Sequence, residues 1–491
     1  MAKISLEKYF VGLGKDSLIY GLGNALLKVL ALITAPIFTR IFVPAEYGII
    51  SLIASIISFL SLLLIFGMDS AIPVSFYEYK KERKIIISSG FWFLLVWGII
   101  LVGLGQVLAG KISFLVFHNS SYNVLLIIAF WTAFLTLLIN LCKAVFRLEF
   151  RAKTFALIAG LQAILTVGLM ILFVAYFRLS LTGYFLGGLL GAGASLILAI
   201  SLIRNNLSLT LSWRRLKEMI VYGSMIVPAS VAFFVFDLSD RFFLNHYRDL
   251  TELGLYSIGI NIASLILFFS VAIGQAWSPF ILKIYFQSKK IFHEFVPRTF
   301  TYYLIFFFVL AVGLTLFGEE ILRIFTTEKF YPAARVIGPL ALAMVFSASL
   351  QVTAMGISIS RKTKYFALFS GLAAGLNIIL NFFLIPRYGM VGAGFATAFS
   401  YLFLTIVYFF QSQRFIYLKI AWQKIFKLVL LAVSLILLLP FSWQFDFWGN
   451  LSLKIGEFLL FLVLLYFLGI IEKNELSYLK MTVLRFKSKK S

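Results

Sequence analysis

The chain has 491 residues, 62% of them hydrophobic and 13% charged, with a formal net charge of +23. Soluble proteins run about 45–50% apolar and about 25% charged, so this composition and a mean hydropathy of +1.00 exclude a soluble globular protein and point to an all-α polytopic membrane protein. A single cysteine, Cys142, excludes an internal disulfide and a cysteine-cluster metal site, and three scattered histidines speak against zinc.

Apolar segments of spanning length fall at 17–40, 47–76, 85–109, 122–142, 154–177, 181–203, 219–244, 253–282, 299–317, 336–359, 365–385, 390–410, 425–440 and 451–471, which predicts about fourteen transmembrane helices. The N-terminus carries no short apolar run followed by a small-residue cleavage site, so no removable signal peptide is expected. In the first segment Lys28 lies 12 residues from both Asp16 and Arg40. At ~1.5 Å per residue that is roughly 18 Å from either end, near the midplane of a hydrocarbon core about 30 Å thick. Snorkelling serves only helix ends, and an ammonium left in lipid costs on the order of 3 kcal/mol. The neighbours on its face, Ser17, Gly21, Asn24, Ala31 and Ala35, are small or polar. Lys28 therefore faces either a wet interior or a packed helix contact in which a carboxylate such as Asp69 pairs with it.

Asp69, in the second segment, is a counter-ion to Lys28, a proton-carrying group or the interfacial end of a tilted helix. Asn140 in the fourth segment and Gln351 in the tenth stand 211 residues apart, at matching places in two halves of the chain. Such amides link helices or offer hydrogen bonds inside a cavity. Gly183, Gly187 and Gly191 make a close-packing stripe in the sixth segment. In the seventh, Asp237 and Arg241 have the i, i+4 spacing of a helical ion pair, with Asp240 between them. Asn261 and Gln275, 14 residues apart in the eighth, share a helix face. Pro36, Pro73, Pro228 and Pro279 sit where a kink could bend a gate.

Lysines and arginines alternate from side to side: 32 of the 43 fall on one side, together with both termini. That asymmetry places both ends in the cytoplasm. The chain also repeats itself. "KTFALIAGL" at Lys153–Leu161 matches "KYFALFSGL" at Lys364–Leu372 with six identities in nine, and "EYGIISL" at Glu46–Leu52 resembles "ELGLYSI" at Glu252–Ile258. Each pair aligns helix n with helix n+6. The expected plan is a six-helix lobe over 1–203, a second over 204–413, and two helices with a basic tail over 414–491, with a transport site between the lobes. Phosphate-binding loops, H-E-x-x-H and G-x-S-x-G are missing, so a transporter rather than an enzyme is expected. Uphill movement must then draw on an ion gradient or on the membrane potential, worth ~2.3 kcal/mol per charge per 100 mV.

Three stretches carry a resemblance: "APIFTRIFVPAEYGIISL" (Ala35–Leu52), "DRFFLNHYRDLTELGLYSIG" (Asp240–Gly259) and "NIILNFFLIPRYGMVGAGFATAFSY" (Asn377–Tyr401). Together they resemble the polysaccharide-export flippases, O-antigen type, of the multidrug/oligosaccharidyl-lipid/polysaccharide superfamily. The resemblance implies fourteen helices, two lobes and alternating access for an undecaprenyl-diphosphate-linked glycan in the cytoplasmic membrane. It puts Asp240-Arg241 at the family's Asp-Arg pair. On this reading Lys28 and Asn24 attract the diphosphate, Asn140, Asn261, Gln275 and Gln351 offer hydrogen bonds to sugars, and Asp69 is the coupling carboxylate or counter-ion. No cofactor, metal or nucleic acid is expected; the expected partners are membrane lipids, H+ or Na+ as coupling ion, and a polysaccharide polymerase. The alternative is an ion-coupled multidrug/cation antiporter of the same superfamily, with Asp69 and Asp237 as its acidic residues. A channel or a structural partner of the polymerase is a third class.

Overall fold

The computed structural model describes residues 34–360, 362, 364–438 and 447–470. These residues are almost entirely helical, and there is no strand among them. Lys28, Asn24 and most of the first expected span lie outside the described residues. The chain divides into two compact units. One takes residues up to Ile258 with Ile324–Phe330 and Ala367–Ala396; the other takes Gly259–Arg323, Tyr331–Phe366 and the chain from Thr397 onward.

In the first unit, α1 (Pro44–Ile65) starts on a proline whose fixed φ suits the first helical turn, and Glu46 caps the Val43 N–H at 3.0 Å. The span expected over 47–76 is found as Pro44–Glu78, with a break inside it. Phe66 and Gly67 take left-handed φ values of 46° and 70° before α2 (Met68–Glu78) continues. The reason is a close crossing, since a Cβ on Gly67 would strike the backbone of Gly223, and one on Gly223 would strike Phe66 and Gly67. There follow α3 (Arg83–Phe117), α4 (Asn123–Leu148), α5 (Ala152–Ile171) with a π turn at Leu172–Tyr176, and α6 (Ser180–Ile203). The stripe on α6 packs as expected: Cβ atoms on Gly183, Gly187 and Gly191 would meet the backbones of Phe173, Met170 and Thr166. A short helix, α7 (Trp213–Ser224), then leads to α8 (Val227–Tyr247) and α9 (Leu250–Ala263).

The repeated sequences meet one another within this unit. A Cβ on Gly48 would strike the Leu250 backbone, and one on Gly254 would strike the Pro44 carbonyl. Gly48 follows Pro44 by four residues and Gly254 follows Leu250 by four, so the contact is reciprocal. Each repeat also carries one glutamate that ties down a helix junction. Glu46 accepts from Ser180 Oγ (3.0 Å) at the start of α6. Glu252 accepts from the Met390 N–H (2.7 Å), just after Gly389 turns the chain with φ 55° and ψ −135° inside Lys364–Phe415, here α15. A side chain at Gly389 would collide with the Glu252 carboxylate, and Arg248 fixes the preceding carbonyls of Ile385 and Pro386 at 3.3 and 2.9 Å.

The second unit contains α10 (Leu265–Gln287), α11 (Lys289–Leu316), most of α12 (Gly318–Phe325), α13 (Ala334–Thr353), α14 (Met355–Ile359), α16 (Trp422–Leu438) and α17 (Phe447–Phe467). Its core is the α11–α13 contact, where Phe292, Phe307, Phe308, Ala341, Ala343 and Val345 are completely or almost completely buried. Lys454 ties α17 to Glu320 of α12 at 2.6 Å.

Ten helices among the described residues are long and apolar enough to cross a membrane. The fourteen segments of the sequence differ from these ten in four places. Most of the first lies outside the described residues, α8 carries three charged residues, α16 has 17 residues, and the eleventh and twelfth run together in α15 across the Gly389 turn.

Candidate functional site

A cavity of about 210 Å³ opens in the first unit where α1, α2, α4 and the start of α5 converge. Its wall brings together Asp69, Pro73 and Asn140, three of the residues singled out by the sequence, with Lys143, Arg147 and Phe155. Positions 140, 143 and 147 recur at i, i+3 and i+7 and so present one stripe of α4 to the space. Lys143 is half-buried and donates to Gln162 Oε1 at 3.1 Å, which holds the ammonium against α5. Asp69, Asn140 and Arg147 line the cavity and are exposed, and Asp69 forms no ion pair among the described residues. Two cations and one carboxylate leave the lining net positive. Such a space favours an anion with several acceptor oxygens, because an arginine fork and an ammonium both donate to phosphate.

Lys143 and Arg147 were the residues sequence reasoning missed. They follow the segment expected over 122–142, where the run Lys143, Arg147, Arg151 and Lys153 reads as a basic loop, and they sit instead on the last two turns of α4. The signal available was their spacing from Asn140.

Asp240 and Arg241 act at a different place. Asp240 is buried, accepts a hydrogen bond from the fully buried Tyr256 hydroxyl, takes the Arg241 N–H at 2.8 Å, and pairs with Arg241 Nη1 at 3.5 Å. Arg241 also donates to the Asp237 carbonyl at 3.2 Å. This arrangement staples α8 to α9. Beside it Ser239 donates to Asn377 Oδ1 (2.7 Å), and Asn381 donates to Asn377 Oδ1 (2.9 Å) and Ser239 Oγ (3.2 Å), tying α8 to α15. Asn261 is exposed on α9. Gln275 lies on α10, with its side chain outside the described residues, and Gln351 lines a second cavity in the other unit. The candidate residues are thus divided between the two units.

Outside the spans, Arg215 of α7 grips Glu82 with Nε at 2.6 Å and Nη2 at 2.9 Å, and its guanidinium lies 3.6 Å from the Tyr79 ring centroid. The Arg215 hydrogen bond holds the Glu82 carboxyl below the usual glutamate range.

Residues 37–335 match the family described as "Polysaccharide biosynthesis protein". The chain is 21% identical over 228 residues to a probable low-salt glycan biosynthesis flippase, Agl15, of Haloferax volcanii, covering 45% of this chain and 48% of that protein. It spans less than half the length of the curated relatives it matches. Among solved structures, the Lipid II flippase MurJ in an inward closed conformation matches with a TM-score of 0.70 at 18% identity, over 91% of this chain and 99% of that one. A multidrug resistance MATE family transporter of the MOP superfamily, in an inward-facing conformation, matches with a TM-score of 0.64 at 15% identity, over 79% and 93%. The fold is thus of the MurJ and MATE kind.

Proposed function

Because the chain belongs to the polysaccharide biosynthesis protein family, we propose that it is a flippase moving an undecaprenyl-diphosphate-linked oligosaccharide across the cytoplasmic membrane by alternating access. The observation that carries this reading is the net positive cavity of the first unit, where Lys143 and Arg147 stand beside Asn140. A lipid-linked glycan presents a diphosphate between an apolar tail and a neutral sugar chain, and a wall of this kind suits the diphosphate. Lys28 and Asn24 supply further donors to the same group, Asp69 acts as counter-ion or couples transport to H+ or Na+, and Asn261, Gln275 and Gln351 serve the sugars. Asp240 and Arg241 hold α8 in register, with Asp237 one turn before Asp240 at mid-helix. The two halves, 1–203 and 204–413, move as lobes, both termini face the cytoplasm, and a polysaccharide polymerase receives the product.

The likeness to a MATE transporter and the exposed Asp69 carboxylate favour a second reading, an ion-coupled cation antiporter. One experiment separates the two. The purified chain in proteoliposomes is given a fluorescent undecaprenyl-diphosphate oligosaccharide on one side and, separately, a cationic dye. Flipping of the lipid, lost in Lys28→Ala at equal protein level, supports the flippase. Dye exchange without lipid flipping would overturn it.

A further inference from the structure

The second unit holds a cavity of about 450 Å³ between α10, α13 and α14. Its walls are the sequence counterparts of the charged cavity. Asn140, Lys143, Arg147 and Phe155 correspond at an offset of 211 to Gln351, Ala354, Ser358 and Phe366, and all eight residues line their respective spaces. Ile65 and Met68 correspond in the same way, at an offset of 206, to Val271 and Gly274. The chain thus builds one cavity twice, with Lys143 and Arg147 replaced by Ala354 and Ser358 in the second.

The chemistry of the second cavity follows from a proton count. Tyr303 donates its hydroxyl hydrogen to the Ala348 carbonyl at 2.9 Å. Ser270 Oγ, 3.0 Å from that hydroxyl, must then be the donor to it. Gln351 Nε2 donates to Ser270 Oγ at 3.1 Å and to the Ser270 carbonyl at 3.0 Å. Turning the amide over would set two carbonyl oxygens against each other, so its orientation is fixed. The open valence of this chain is Gln351 Oε1, a buried acceptor with no partner among the described residues. Gly274 makes room for it, since a Cβ there would strike the Gln351 carboxamide. One turn further along α10, Trp277 is buried, stacked on Phe295 at 6.4 Å, and its Nε1 is a donor equally without a partner. Buried donors and acceptors are nearly always satisfied, and a donor and an acceptor left open in the wall of one cavity need a reason.

We infer that this cavity is a glycan subsite that takes a neutral, hydroxyl-bearing sugar, with the Trp277 indole N–H donating to it and Gln351 Oε1 accepting from it. A hydroxyl or acetamido group offers both an acceptor and a donor, matching the pair. Among the described residues no charged side chain lines the space, in contrast to the Lys143 and Arg147 wall of the first cavity. The assignment rests on the flippase reading and divides its labour: anionic linkage to the first cavity, sugar to the second.

The test uses the full chain in lipid nanodiscs, with methyl β-D-glucopyranoside, N-acetylglucosamine and glucose 1-phosphate as probes, read by saturation-transfer-difference NMR. Both neutral sugars bind the wild type, and Trp277→Phe, which keeps the stacked ring, weakens them roughly five-fold through the lost hydrogen bond. Gly274→Ala, which displaces the carboxamide while keeping both polar groups, weakens them as well. Neutral sugars that do not bind, or that bind the variants as well as the wild type, overturn the subsite and leave a cavity holding water. Binding here together with a failure to flip lipid-linked oligosaccharide removes the flippase reading and leaves the subsite standing.

Discussion

The reciprocal contact between the repeats gives the sharpest prediction. In Gly254→Val the new Cβ meets the Pro44 carbonyl and the Gly48 amide nitrogen, all backbone, so no side chain can swing aside and a helix must move. Overpacking of this kind costs about 1–3 kcal/mol. Since each 1.4 kcal/mol is tenfold in an equilibrium, the population shifts roughly 5- to 150-fold toward conformations in which α1 and α9 part. Gly48→Val does the same from the other side, against Leu250. The double variant costs less than the sum, because one parting relieves both collisions. Spin labels at the exposed Val43 and Asp249 measure the separation by double electron–electron resonance, and the buried Cys142 leaves native labelling silent. Gly103→Val, where a Cβ meets nothing within 4 Å, is the control and should stay within about 0.5 kcal/mol of wild type. Unchanged label distances in Gly254→Val, or strictly additive costs in the double variant, would refute the reasoning.

Further predictions follow from the sites. Lys143→Met and Arg147→Gln each remove a charge-assisted bond to phosphate, worth about 1.5–3 kcal/mol, so the initial rate of lipid flipping should fall tenfold or more at unchanged melting temperature; undiminished rates would take the cavity out of the pathway. Tyr256→Phe leaves the buried Asp240 carboxylate short of a donor and should cost about 1–3 kcal/mol, read as a lowered melting temperature in detergent. Glu82, its proton affinity lowered in the fold by Arg215, contributes stability that is present above the range where free glutamates titrate and is lost as the pH falls through its depressed value. A thermal-shift series into acid should therefore show a loss in wild type that Glu82→Gln lacks; parallel curves would count against the clamp.

The sequence made the helices legible because burial in lipid demands long apolar runs, and the repeats survived because Gly48 and Gly254 serve backbone contacts that tolerate no side chain. The helix break at Phe66–Gly67 was hidden, since its cause is a glycine on another helix, Gly223. Lys143 and Arg147 looked like loop charges because a helix that ends in its own basic residues looks, in one dimension, like the loop after it. Asp240 was visible but its partner Tyr256 was not, the hydroxyl being one of 22 tyrosines. Trp277 had no signal at all. Its meaning lies in a missing hydrogen bond, which only coordinates reveal.

The crossing of Gly48 on Leu250 and Gly254 on Pro44 has the grammar of a symmetric homodimer, in which residue i touches j and j touches i. In a true dimer every substitution lands on both partners at once. Tandem fusion lifts that constraint, so one duplicate can keep arginine and lysine while its sibling drifts to serine and alanine without unsettling the shared seam.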